Sequence, residues 1–380
     1  MAKKQFILLF SLLLSVLIAT NVNARTPLPR KYRKIQHYLD MAAPDKMAGI
    51  AIYVKSPNYG EWTTTSGYAN LSTKQLLAKD DIFAMASIGK MYTAVAILKL
   101  TEEGILHLDD PISKYLSREI IGGLANGSKI TIRQLLAHTS GLYNYDKDPE
   151  LNSQYLSGRL KLDTLTHLNA LRRYVFGKPA LCTPGSAFHY SSTNYVLLAM
   201  IADAVVPEGH ANYLSKLLLQ HGFTHTYYRQ TPVQNNIHYY GDLNQDSITE
   251  DVTLQTLETT NWFTGDDGVY APVSEAARFL EDLMTGKILN QQSLKEMMTW
   301  DNDKKPNYGL GLMANKAFPY HFLMGHSGRG IGTTTDLYYF PRQKMTIAIF
   351  CNTGLRGAAP IFRKSYNKMR TRIINKLFLF

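Results

Sequence analysis

Cysteine is scarce in this chain. Its 380 residues include only Cys182 and Cys351, far apart in sequence. Two cysteines cannot form a dense disulfide framework, and neither sits in a metal-ligand pattern, so no structural metal and no cofactor is expected. Whether the two meet is not decided by the sequence. Long apolar runs are equally few. After Thr20 no segment approaches the roughly 20 apolar residues of a membrane-spanning helix. Charged residues make up 19% of the chain against 45% hydrophobic, and there is no low-complexity tract and no internal repeat. That balance excludes an extended disordered chain beyond the first thirty residues. Nucleic acid is also a poor fit, because no binding motif accompanies the basic charge.

What is present begins with a targeting pattern. Lys3 and Lys4 precede the largely apolar stretch Phe6 to Thr20, and small residues at Val22 and Ala24 suit cleavage after Ala24. Residues 1–24 therefore read as a signal peptide, and the remainder as an exported protein, periplasmic or secreted. No cysteine opens the mature chain, which argues against a lipid anchor, and no stable membrane span remains after cleavage. Removal takes two lysines and no acid, lowering the formal charge from +11 to +9. Much of the rest lies in Arg30-Lys31-Tyr32-Arg33-Lys34 and in the stretch from Arg363 to Lys376. The simpler reading of these clusters is the solvated face of two terminal helices, and the sharper one is attraction to an anionic polymer or surface.

The expected fold class is α+β. Residues 31–41 read as a helix, and Gly49 to Lys55 with Glu61 to Tyr68 read as strands joined by Ser56-Pro57-Asn58-Tyr59-Gly60. A helix is expected from about Ser87 to Glu103, stopped by Gly104. Helical segments dominate the middle, among them 132–137, 194–205, 213–219 and 273–285. Strands return at 320–324, 333–340 and 345–351, and a basic helix closes the chain from about 360 to 376. Strands at both ends imply one antiparallel sheet built from the two chain ends and flanked by helices, with a mainly helical domain inserted. The α/β part is expected at about 25–86 and 300–380, and the helical part at about 87–299.

Three short segments could carry chemistry. In Ser87-Ile88-Gly89-Lys90 a serine and a lysine three apart share one helix face. A serine opening a helix has its backbone N–H in the positive dipole end, where an oxyanion is stabilised. The spacing alone is weak, since Ser365-Tyr366-Asn367-Lys368 repeats it. Context separates them: Ile82 to Gly89 is too apolar for a surface, so Lys90 must snorkel out or serve a buried partner. Tyr190-Ser191-Ser192 follows Pro184-Gly185 and precedes an apolar helix, so Tyr190 is placed to project into a cleft. Its phenolate would accept a proton if an ammonium lay nearby, although a tyrosine packed under its loop is the commoner case. His326-Ser327-Gly328 ends a strand among Gly325, Gly328 and Gly330, where a substrate can approach the backbone and take an N–H.

In this order the three segments resemble the penicillin-recognising serine hydrolases, specifically the branch of class C β-lactamases, D-alanyl-D-alanine carboxypeptidases and related esterases. That family carries Ser-x-x-Lys, then Tyr-x-Asn or a variant, then Lys/His-Thr/Ser-Gly. Supporting stretches are Leu108-Asp109-Asp110-Pro111, Ile130 through Leu142, and Tyr308-Gly309-Leu310-Gly311-Leu312, so the resemblance covers about residues 31–375. It implies a β-lactamase/transpeptidase-like fold and acylation of Ser87, with Lys90 and Tyr190 handling its proton and the choice of base left open. His326 would line the cleft and orient the catalytic network, and the N–H groups of Ser87 and of Arg329, on an edge strand, would form the oxyanion hole. Ser192, Ser327, Gly328 and Arg329 would contact a small-molecule or peptide substrate, with peptidoglycan peptides among the candidates. His138 belongs to a family marker and is assigned no chemistry. Two departures stand out: Ser192 replaces an asparagine, and His326 replaces a lysine, removing a permanent cation that Arg329 could supply instead. The natural substrate class is then D-Ala-D-Ala-type peptides. β-Lactam or small-ester hydrolysis is the alternative, and a catalytically silent cell-wall sensor the alternative of another class.

Overall fold

The computed structural model describes residues 30–43, 46–157, 166–229, 236–300, 307–318 and 321–378; the expected signal peptide lies outside them. Seven antiparallel strands form the main sheet, in the order Gln75–Leu76, Gly60–Asn70, Gly49–Ser56, Met345–Cys351, Thr334–Phe340, His321–Arg329 and Met313–Phe318. The seam lies between Gly49–Ser56 and Met345–Cys351, with Ile50 opposite Cys351 and Lys55 opposite Thr346. Strands from the two chain ends thus complete each other's hydrogen bonding.

These central strands are apolar on both faces, and the period of two sends alternate residues to two separate cores. Ile50, Ile52 and Val54, with Ile347 and Ile349, face the terminal helices. Helix Arg30–Asp40 answers with Tyr32, Ile35 and Leu39, and helix Pro360–Phe378 with Phe362, Tyr366, Met369, Ile373 and Leu377. Ala51, Tyr53, Ala348 and Phe350 point the other way, into the larger core. There helix Val273–Met284 lays down Val273, Ala276, Ala277, Leu280 and Leu283, an apolar stripe at helical spacing. Cys351 is buried, Cys182 half-buried, and both are free thiols. Among the described residues no helix is long and apolar enough to cross a membrane.

The middle of the chain is largely helical but not wholly so. Phe83–Ala84, Val269–Ala271 and Tyr227–Tyr228 form a small antiparallel sheet, and Tyr240–Gly241 pairs with Glu250–Asp251. Strands of two or three residues leave no periodic signal, which is why the sequence reading passed over them. The expected edge strand is also next to last, because Met313–Phe318 pairs outside it. That pairing stops at Gly325 opposite Met313, so the segment beyond keeps an open edge.

Candidate active site

Ser87 sits in a single tight turn, Ala86–Ile88, directly ahead of helix Gly89–Glu102. Ala86 adopts φ +48°, a left-handed conformation that is uncommon outside glycine. The turn is held in place from the sheet: Thr333 donates to the Ala84 carbonyl and Thr335 to the Met85 carbonyl, each at 2.8 Å. Gly328 permits the close approach, since a Cβ there would lie 2.3 Å from the Met85 oxygen.

The helix is buried nearly all round, so Lys90 in its first turn has no route to solvent and is fully buried. Its Nζ donates to Ser87 Oγ at 3.1 Å and to the Asp266 carbonyl at 3.3 Å, and lies 3.5 Å from Asp266 Oδ2. A buried partner, not snorkelling, accommodates the charge. Burial pulls the Lys90 pKa down, but Tyr190 and Asp266 outweigh it, so the ammonium form is favoured. Burial pushes the Asp266 carboxyl up, and Lys90 only partly opposes that. The sequence reading did not single out Asp266. Its signal was the adjacent acid pair in Gly265-Asp266-Asp267-Gly268. Gly265 takes φ +95°, and a Cβ there would meet the Tyr195 oxygen at 2.2 Å.

Tyr190 reaches the same place from a different element. It precedes helix Ser192–Val205, and its hydroxyl interacts with both Lys90 and Ser87. Burial raises its pKa, and the Lys90 charge opposes this without cancelling it. His138 fixes the loop that carries it. The Ser191 N–H donates to His138 Nδ1 at 3.2 Å, the His189 N–H donates to the His138 carbonyl at 2.8 Å, and the two rings lie 4.2 Å apart. Accepting at Nδ1 places the His138 proton on Nε2. His138 is therefore a support for Tyr190 that the sequence reading left aside.

The other expected residues are placed less directly. His326 is fully buried and outside the cleft lining. Its Nδ1 donates to the Ser327 carbonyl at 2.8 Å, which leaves Nε2 to accept from the Tyr308 hydroxyl at 3.0 Å. Burial, reinforced by the Lys90 charge, pushes its pKa down to about 3. It is a neutral strut behind Ser327, outside the cleft wall expected from the sequence. Ser192 is fully buried too: it donates its hydroxyl to Asp146 Oδ2 at 2.8 Å and its N–H to Asn144 Oδ1 at 3.1 Å. Asn144 and Asp146 line the cleft instead. Arg329 lines the cleft, but its guanidinium is committed, donating to Asp336 Oδ1 at 2.7 Å and to the Gly328 and Thr335 carbonyls. Asp336 is fully buried and also takes Tyr338, Tyr366 and Arg370.

The backbone of that strand is open where the site needs it. Gly330 donates its N–H to Thr333, toward the neighbouring strand. Alternation along an antiparallel ladder then turns the N–H groups of Ser327 and Arg329 outward, past the point where the outer strand has ended. They border a cleft of about 760 Å³ together with Ser87 and Tyr190. Lys147, Arg356, Arg363 and Arg370 add positive charge to its wall. Such an arrangement has what acyl transfer requires: a hydroxyl, a buried ammonium and phenol to exchange its proton, and outward N–H groups beside it. Among the described residues no group of histidine, cysteine and acidic side chains is arranged to hold a metal ion.

A protein-family model described as Beta-lactamase matches residues 39–364. The chain belongs to the beta-lactamase family. Penicillin-binding protein 4* of Bacillus subtilis (strain 168) is 26% identical over 305 residues, covering 75% of this chain and 64% of that protein. Protein flp of Staphylococcus aureus (strain N315) is 25% identical over 315 residues, 81% of this chain and 59% of that one. The chain thus spans about three fifths of these curated relatives. Among solved structures, a D-stereospecific amidohydrolase from Streptomyces sp. superposes with a TM-score of 0.74 at 26% identity, covering 85% of this chain and 94% of its own. The D-amino acid amidase from Ochrobactrum anthropi SV3, complexed with L-phenylalanine amide, gives 0.77 at 20% identity over 92% and 99%, a likeness of fold. Residues 39–364 run from the first helix to the last, so the beta-lactamase family match takes in Ser87, Lys90, Tyr190, His326 and Arg329 together.

Proposed function

We propose that this chain is an exported serine hydrolase that forms an acyl-enzyme at Ser87, with D-Ala-D-Ala-type cell-wall peptides or related amides as substrates. The observation that carries this reading is the 3.1 Å contact of Lys90 Nζ with Ser87 Oγ inside a buried site that Tyr190 also reaches. In the form of the Lys90–Tyr190 pair that has lost one of its two protons (ammonium with phenolate, or amine with phenol), Ser87 Oγ adds to the carbonyl carbon and its proton passes to the pair, whose titration belongs to both groups. The N–H groups of Ser87 and Arg329 stabilise the oxyanion. As the C–N bond breaks, Tyr190, which faces the cleft where Lys90 does not, protonates the departing amine. Water then cleaves the ester and restores Ser87. Export rests on the N-terminal pattern of Lys3, Lys4 and Phe6 to Thr20. The D-peptide class rests on the family and on the D-stereospecific and penicillin-binding relatives.

Arg329 is engaged with Asp336 and His326 is neutral, so this strand offers no free cation for a substrate carboxylate. That favours a second reading, hydrolysis of small esters by the same chemistry. Mass spectrometry after exposure to a penicillin, a D-Ala-D-Ala peptide and a p-nitrophenyl ester separates them. The expected result is an adduct on Ser87 that vanishes in Ser87→Ala, persistent with penicillin and rapidly turned over with the peptide. Turnover of the ester alone selects the second reading. Turnover that survives Ser87→Ala overturns both, and the absence of adduct and turnover with all three overturns both in favour of a silent binding protein.

A further inference from the structure

A second cavity, of about 430 Å³, adjoins the main cleft and shares Tyr190, Met313, Ser327 and Arg370 with it. Its own walls are mainly apolar, with Phe188, Tyr308, Ala314, Leu323 and Ile374, and the polar groups of Asn307, Asn315 and Tyr338 complete them. Ser87 is absent from its lining. We infer that this cavity receives the side chain of the residue released from the substrate, which narrows the proposed D-peptide class to D-Ala-D-Xaa amides whose released residue is aromatic or branched aliphatic in preference to alanine. The inference rests on the reading of Ser87 as the acylated group.

The placement follows from where a proton can be delivered. An amide nitrogen leaves only when protonated. Lys90 is buried, so Tyr190 is the donor with access to the cleft, and the leaving nitrogen must sit at its hydroxyl. Tyr190 also forms part of the second cavity's rim, whereas Ser87, which keeps the acyl half, does not. Whatever follows the scissile nitrogen is thereby directed toward the cavity. Its size falls within the range of pockets that hold small ligands, roughly 300–1,000 Å³. A methyl group would leave most of that space unfilled and forfeit the burial of apolar surface that a larger side chain gains.

The test uses N-acyl-D-Ala-D-Xaa peptides that share one acyl half and end in D-Ala, D-Leu or D-Phe. Wild-type protein is expected to show a kcat/KM for D-Phe at least about tenfold above that for D-Ala, the scale on which apolar pockets discriminate. Ala314→Leu, which fills the cavity, is expected to reduce that ratio at least threefold. Labelling of Ser87 by a small fluorophosphonate, measured on the same samples, reports a folded and reactive site. Ile374→Phe, on the terminal helix, replaces Ala314→Leu if that variant does not label. Turnover of the D-Ala peptide as fast as the D-Phe peptide, or a ratio indifferent to filling, overturns the cavity assignment and leaves the proposed function intact. Labelled protein that cleaves none of the three peptides overturns the D-peptide reading itself, and the assignment falls with it.

Discussion

At the scale of single residues, the site is built from groups whose charge is set by burial and by one another. Lys90 is held as a cation by Tyr190 and Asp266, and His326 is held neutral because burial and the Lys90 charge both oppose its protonation. The histidine has a consequence for stability. Its pKa is about 3 when folded against an ordinary value of about 6.5 when unfolded. The unfolded chain therefore binds more protons between those values, and stability rises with pH there. The contribution is complete above about pH 6.5 and is lost as pH falls toward 3, at about 1.4 kcal/mol per pH unit. His138, depressed for the same reason, acts in the same sense, whereas Asp266, raised by burial, acts in the opposite one. The readout is thus a difference: denaturant titrations of wild type and His326→Gln between pH 4 and 6. The variant is expected to show a shallower dependence by roughly one proton. Equal slopes would mean that His326 is protonated in the folded protein. Because His326 stays neutral above pH 5, its replacement should leave the shape of the kcat/KM profile between pH 5 and 8 as it was.

At the scale of elements, the geometry depends on a strand pressed against a turn. Strand His321–Arg329 crosses the Ala86–Ile88 turn, and Gly328 is the point of nearest approach. In Gly328→Ala the new methyl would lie 2.3 Å from the Met85 oxygen and 2.9 Å from Ala86 Cβ. Strand and turn must then separate, carrying the Arg329 N–H away from Ser87. Displacements of about 1 Å at a reacting centre cost on the order of 10²-fold, and overpacking costs about 1–3 kcal/mol. Gly328→Ala is accordingly expected to lose about 10²-fold in kcat/KM while melting only several degrees lower. Full activity in a folded variant would show that the strand backbone is not part of the site. The sheet strands and the longer helices were legible in the sequence because their apolar periods are long enough to read. Ser87 and Lys90 were legible because a serine and a lysine stood in a run too apolar for a surface. Asp266, Asn144 and Asp146 were not. They converge on Lys90 and the cleft from loops more than fifty residues away, and no local pattern encodes that meeting. The same holds for Arg329 and Ser192, whose chemistry was visible but whose prior engagement with Asp336 and Asp146 was not.

At the scale of the whole molecule, the two chain ends do more than close the sheet. Helix Pro360–Phe378 packs one face on the sheet through Phe362, Tyr366 and Met369. With Arg363, Asn367 and Arg370, at helical spacing, it walls the cleft. Part of the basic C-terminal run is therefore cleft surface, where the simpler sequence reading made all of it a solvated exterior. Arg329 and Arg370 share the single carboxylate of Asp336, and Arg356 pairs with Asp146. Arg363 and Lys147 are exposed and have no ion pair among the described residues. Together with the chain's excess of lysine and arginine over acidic residues, they give the mouth of the cleft an uncompensated positive field. Such a field raises the local concentration of anionic substrates and is screened by salt, over about 10 Å at 0.1 M. A D-peptide with a free carboxylate should thus lose severalfold in kcat/KM as ionic strength rises from about 0.02 to 0.5 M, while a neutral ester with the same acyl half changes by less than about twofold. Arg363→Ala should flatten the salt dependence of the peptide and leave that of the ester where it was. If peptide and ester respond alike, the positive wall plays no part in capture, and the charge of the terminal helix serves only its contact with solvent.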